Sequence, residues 1–199
     1  MTTTEVRPQT WMTPVRSFWV VALVFFTVMG SSAAPSPLYP VYQSRWGFDA
    51  STLTIVFAVY VFALLAALLT VGSLSDHLGR KPVVVTSLLV LIASQVVFVF
   101  ADGVGWLIAA RVVQGLAAGA AMGALTAAII DLQPTDRLGP LVSSVAPAFG
   151  LGAGGIAAGL LVQFAPFPTT LVYVVMIVAL VVLTALVAMV PESAVRAGF

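Results

Sequence analysis

The sequence contains no cysteine and one histidine, and only 8% of its 199 residues are charged. Without cysteine there is no disulfide framework, no thiolate nucleophile and no cysteine metal site. The lone histidine, His77, has no companions for a metal site or for a serine-based intramembrane protease. A net charge of +1 gives no basic patch for nucleic acid. Soluble domains carry about 25% charged residues, so the charge here is too sparse to cover a water-facing surface. No Asp or Glu falls in the middle of an apolar run. What is present instead is apolar side chain, 61% of the whole. That excludes a disordered chain and defines an integral membrane protein.

Six runs approach the roughly 20 apolar residues that a helix needs to cross a bilayer. They cover Phe18–Leu38, Ser51–Leu74, Pro82–Ala101, Val104–Ile130, Gly139–Phe164 and Thr169–Val190. Unbroken stretches such as Val96-Val97-Phe98-Val99-Phe100 lack the alternation of a barrel strand. The fold class is therefore all-α, a polytopic membrane protein with six transmembrane helices. Pro35, Pro37 and Pro40 disturb the end of the first span. Asp49 or Ser51 caps the second. Asp102-Gly103, Pro134-Thr135-Asp136 and Pro166-Phe167-Pro168-Thr169 mark later breaks. The short connections predict that consecutive helices are antiparallel neighbours. A signal peptide fits the first run poorly, because the run is too long and continues toward Tyr39 and Tyr42, read as an interfacial aromatic belt.

With a cytoplasmic N-terminus, Arg7, Arg16, Arg80, Lys81, Arg137 and Arg196 lie inside, Arg45 lies outside, and Arg111 lies within the fourth span. This strong bias predicts a multi-pass protein with both termini cytoplasmic. The corresponding division is a tail over 1–17, a six-helix domain over 18–190 and a second tail over 191–199. Seven arginines against one lysine point to a GC-rich bacterial genome, and so to the bacterial inner (plasma) membrane.

Three features carry chemistry. The first is the loop Gly72-Ser73-Leu74-Ser75-Asp76-His77-Leu78-Gly79-Arg80-Lys81. There Gly72 permits close helix approach, Gly79 suits a positive backbone angle, and Asp76 and Arg80 bracket the turn. The second is Arg111-Val112-Val113-Gln114-Gly115. A cation at membrane depth either snorkels or faces a cavity or partner. The third is a set of glycine stripes for helix packing, Gly115, Gly119 and Gly123 on the fourth span and Gly150/Gly154 and Gly155/Gly159 on the fifth. Tyr60 and Gln95 are further polar residues at depth, and Asp131 ends the fourth span. No phosphate loop or dinucleotide fingerprint follows a strand, so neither an enzyme nor a cofactor is expected.

The spacing G-x-x-x-D-x-x-G-R-K, followed by R-x-x-Q-G, resembles the signatures of the major facilitator superfamily. Pro191-Glu192-Ser193 is a weaker echo. The resemblance covers the whole chain and corresponds to the N-terminal six-helix half of such a secondary transporter. It implies two inverted three-helix repeats and transport of a small solute by alternating access. It also implies a conformational latch in the signature loop, and a coupling or substrate pathway through Arg111, Gln114 and Gly115, to which Tyr60 and Gln95 are candidate additions. Asp131 ends the neighbouring helix on the same side, which places it to join Asp76 and Arg80 in that latch. The expected partners are the lipid bilayer, a small-molecule substrate and a second six-helix half, either a missing C-terminal half or another copy. Twelve spans need about 400 residues at the span length above. One departure is that Gly139-Pro140 lies at the entrance of the fifth helix and not within it, unlike the pair found in many proton-driven exporters of the family. The alternative is a non-transporting membrane module, a degenerate remnant or an assembly partner.

Overall fold

Thr13 opens the first helix, its hydroxyl accepting from the backbone N–H of Arg16 at 3.4 Å, and Pro14 follows at the first helical position, where its missing N–H costs nothing. The helix therefore starts at Pro14, ahead of the Phe18 expected from hydropathy. A computed structural model describes residues 12–71 and 79–190. Its helices are α1 (Pro14–Ala33), α2 (Tyr39–Trp46), α3 (Ala50–Val71), α4 (Arg80–Val99), α5 (Val104–Leu132), α6 (Leu138–Phe164) and α7 (Pro168–Met189), with a 3-10 turn at Ser36–Leu38. The turn joins α1 and α2 into one span, Pro14–Trp46, so among the described residues six helical spans are long and apolar enough to cross a membrane. Among the described residues there is no strand.

Local chemistry explains the ends. Asp49, and not Ser51, caps α3, its Oδ1 accepting from the Thr52 N–H at 2.8 Å. That bond holds the exposed Asp49 carboxyl below the usual carboxylate range. Gly47 ends α2 in the left-handed region at φ 66°, and Gly79 precedes α4 at φ 98°, as its place in the signature loop required.

Packing departs from the expectation of consecutive neighbours. The most extensive pairing is α3 on α5, followed by α4 on α5 and α1 on α6, with α4 on α7 and α1 on α5 next. Only α4 and α5 are both consecutive and closely packed. Short loops allow adjacent spans to be neighbours, but side-chain volume decides which backbones approach. The second span packs on the fourth, and the fifth packs on the first. Exchanging the two three-span halves interchanges these pairings, the pattern that inverted repeats produce.

Glycine sets both pairings. A methyl group at Gly115 would meet the Tyr60 carbonyl and Ala63, and one at Gly119 would meet the Leu64 carbonyl of α3. A methyl group at Gly150 would strike the Phe26 carbonyl, and one at Gly154 the backbone of Gly30 on α1. Gly123, the third member of the α5 stripe, is half-buried. The second α6 stripe makes no such close backbone approach among the described residues. Gly155 has open space where a Cβ would be, and Gly159 meets only the ring of Pro37 at 4.0 Å. The reason is geometric, since Gly155 lies about 100° around the helix from Gly154 and only one of these faces meets α1.

Gly154→Ala should therefore destabilise the chain by about 1–3 kcal/mol, because backbone cannot yield as a side chain can. Gly155→Ala should be neutral or slightly stabilising through helix propensity. Thermal unfolding in mild detergent distinguishes the two, and equal effects would remove the packing argument.

Candidate functional site

The bundle has two polar ends. At one, Arg80 opens α4 and Asp131 ends α5, and Arg80 Nε donates to Asp131 Oδ2 at 3.1 Å. A carboxylate near a helix C-terminus is unfavourable against the helix dipole, and the guanidinium offsets that. Lys81 Nζ donates to the Ala188 carbonyl at 2.6 Å, satisfying one of the free carbonyls at the end of α7. This tie between α4 and α7 was absent from the sequence reading. Its only signal was the helix-end carbonyl that any cation beside it can serve. Gly72 and Asp76, the remaining latch candidates, lie outside the described residues.

At the other end is Arg111, 1% exposed and about two turns into α5. It does not snorkel. Its Nη1 donates to the Ser32 carbonyl at 2.9 Å and to Gln114 Oε1 at 2.8 Å, and its Nε donates to the Tyr39 hydroxyl. Gln114 Nε2 donates in turn to the Ser31 carbonyl at 2.9 Å. The cause lies in the first span. An unbroken helix would pair Ser31 C=O with the N–H of residue 35 and Ser32 C=O with that of residue 36. Residue 35 is proline and has no N–H, and the 3-10 turn displaces Ser36. Two carbonyls are thus left without helical partners inside the bundle. Arg111 and Gln114, one turn apart on the same face of α5, supply the donors.

Rings complete the site. The guanidinium carbon lies 5.0 Å from the ring centroid of Tyr60, 5.4 Å from that of Tyr39 and 5.8 Å from that of Phe57. Desolvated cation–π contacts contribute about 2 kcal/mol or more each. Tyr39 is buried at 2% exposure and belongs to this cage, and Tyr42 is equally buried and donates to the Tyr173 hydroxyl at 3.1 Å. Neither forms an interfacial belt, because the helix resumes after the proline break and turns both rings inward. Tyr60 therefore joins Arg111, Gln114 and Gly115 at one place. Gln95 does not, since it is fully buried on α4 and neither of its amide atoms has a hydrogen-bond partner among the described residues. Tyr39 and Phe57 escaped the sequence reading, yet Pro35 marked where an orphaned carbonyl would need a donor.

The sequence profile described as Major Facilitator Superfamily matches residues 21–198. The chain belongs to the major facilitator superfamily. Its curated relatives in the superfamily include the 4-hydroxybenzoate transporter PcaK of Pseudomonas putida, 29% identical over 141 residues, which are 69% of this chain and 32% of the relative. The uncharacterized MFS-type transporter Rv1250 of Mycobacterium tuberculosis is 30% identical over 148 residues, 71% of this chain and 26% of that protein. The quinolone resistance protein NorA of Staphylococcus aureus is 27% identical over 122 residues, 59% and 31% respectively. Among solved structures, the human organic anion transporter MFSD10 (TETRAN) shares the fold, with a TM-score of 0.64 at 22% identity over 94% of this chain and 49% of that one. Superfamily membership and the six apolar spans make this a multi-pass membrane protein. The match spans about a third or less of the curated relatives and about half of MFSD10.

Gln114→Leu would leave the Ser31 carbonyl buried without its donor. An orphaned group of this kind costs about 1–3 kcal/mol, and the thermal midpoint should fall accordingly. An unchanged midpoint would show that the proline break does not need α5.

Proposed function

We propose that the chain serves as the N-terminal half of a secondary transporter that moves a small solute by alternating access. The observation that carries this reading is the uneven burial of the membrane-length apolar helices. In α3 and α6 only 17% of the membrane window is buried, against 67% for the first span and 56% for α5. These two helices are the ones exchanged by the internal repeat, and each presents large side chains outward, including Phe62 and Leu69 on α3 and Phe149 and Ile156 on α6. A second six-helix half resting on α3 and α6 would enclose a pathway beside Arg111, Gln114 and Tyr60. The rocking of one half against the other would then open each side in turn.

In this reading the Arg80–Asp131 pair is part of the cytoplasmic latch, completed by Asp76, and holds the inner ends of α4 and α5 together. The glycine faces would let helices move past one another without meshing side chains. The protein would sit in the bacterial plasma membrane with both termini inside.

Two measurements test the proposal. A cysteine at Ala50 should react with an impermeant reagent added outside cells, and one at Thr135 should not. The reversed pattern would overturn the orientation. In liposomes, the 199-residue chain should show no saturable uptake by itself. Uptake should appear only with a second half, and Asp131→Asn in that assembly should slow it about tenfold if the latch contributes about 1.4 kcal/mol. Saturable transport by a monomeric chain would refute the two-body mechanism.

A further inference from the structure

Arg111 is enclosed but not neutralised. Among the described residues it has no carboxylate within ion-pair distance. The described acids, Asp49, Asp102, Asp131 and Asp136, all lie at helix ends or in turns. Nε and Nη1 are engaged, while Nη2 makes no hydrogen bond among the described residues. Carbonyl and hydroxyl dipoles lower the cost of a buried cation but leave its charge in place. The three rings differ in one respect. Tyr39 is buried and Tyr60 is half-buried, but Phe57 is 41% exposed on the open face of α3. One phenyl ring therefore separates an unneutralised cation from that face. Phe57 has no polar atom to anchor it, and its ring packs edge-on against that of Tyr39 at 4.9 Å.

We infer that Arg111 beneath Phe57 is a binding site for a small carboxylate with an apolar body, entered from the open face of α3, with Phe57 as the residue that admits it. The inference rests on the reading of that face as pathway-lining. A single negative charge matches the single positive one, the donors on Nη2 match a carboxylate oxygen, and the surrounding rings match an apolar body. A cation is excluded by repulsion. A doubly charged anion would bury a net charge of its own and gain nothing over water.

The absence of native cysteine makes the test direct. Phe57→Cys places a thiol beside the guanidinium. Leu65→Cys, at 45% exposure on the same helix and about 12 Å further along it, is the control. Anionic and cationic methanethiosulfonates are compared on membranes containing the chain. The anionic-to-cationic rate ratio should be at least about tenfold higher at position 57 than at 65, since the field of the cation falls with distance. Benzoate should slow labelling at position 57 and not at 65, and benzylammonium should slow neither. Arg111→Gln in the Phe57→Cys background should bring the ratio down to that at position 65. Should that variant not fold, protection by benzoate still decides. Equal ratios at the two positions, or no benzoate protection, would overturn the site. Labelling requires no transport, so a failure of the uptake experiment and a failure here are separable.

Discussion

Two backbone carbonyls at the proline break of the first span, those of Ser31 and Ser32, impose the main constraint on this bundle. Both serines are buried inside the bundle, and a lipid tail offers no donor. The break must be served by another helix, and α5 serves it with two residues spaced to reach both carbonyls. This single requirement fixes the depth of α5 against the first span. It also draws a guanidinium into the interior, where lipid contact would be costly. The aromatic cage follows from that placement, because rings are the remaining way to stabilise a cation that no described carboxylate reaches.

The glycine contacts act on the same geometry. Gly115 directly follows Gln114 in α5, and its close approach to the Tyr60 carbonyl brings α3 against the helix that carries Arg111. The hydrogen-bonded face and the glycine face of α5 thus point to different partners, the first span and α3. Arg111 is held between them. On the other side of the bundle, Gly150 and Gly154 bring α6 onto α1, below the break. Polar satisfaction and close packing are not separate features here. Each glycine contact positions a helix that another contact then uses.

Much of this was legible in the residues. Six spans, the all-α class and the helix breaks follow from hydropathy, proline and capping chemistry, since those signals are local. The superfamily motifs marked Arg80, Arg111 and Gln114, the end of the fourth span marked Asp131, and Arg80 and Asp131 do pair, across 51 positions of sequence. Other features were not legible. The order of packing is one, because connection length limits but does not select neighbours. The inward direction of Tyr39 and Tyr42 is another, because it depends on the helix resuming after three prolines. The two α6 stripes, Gly150/Gly154 and Gly155/Gly159, have the same four-residue spacing in sequence, and only the position of α1 separates the packed stripe from the open one.

The sequence by itself determined that the chain lives in a membrane as six helices. Eight per cent charge and 61% apolar content leave no other solvent for it, and backbone hydrogen bonding leaves no other spanning structure for unbroken apolar runs. Tertiary structure alone decided what the buried arginine does. Its partners are carbonyls freed by prolines about 80 residues away and rings contributed by the first span and α3. Those groups meet only once the helices have packed, because the guanidinium responds to atoms within a few ångströms and the sequence carries no distances.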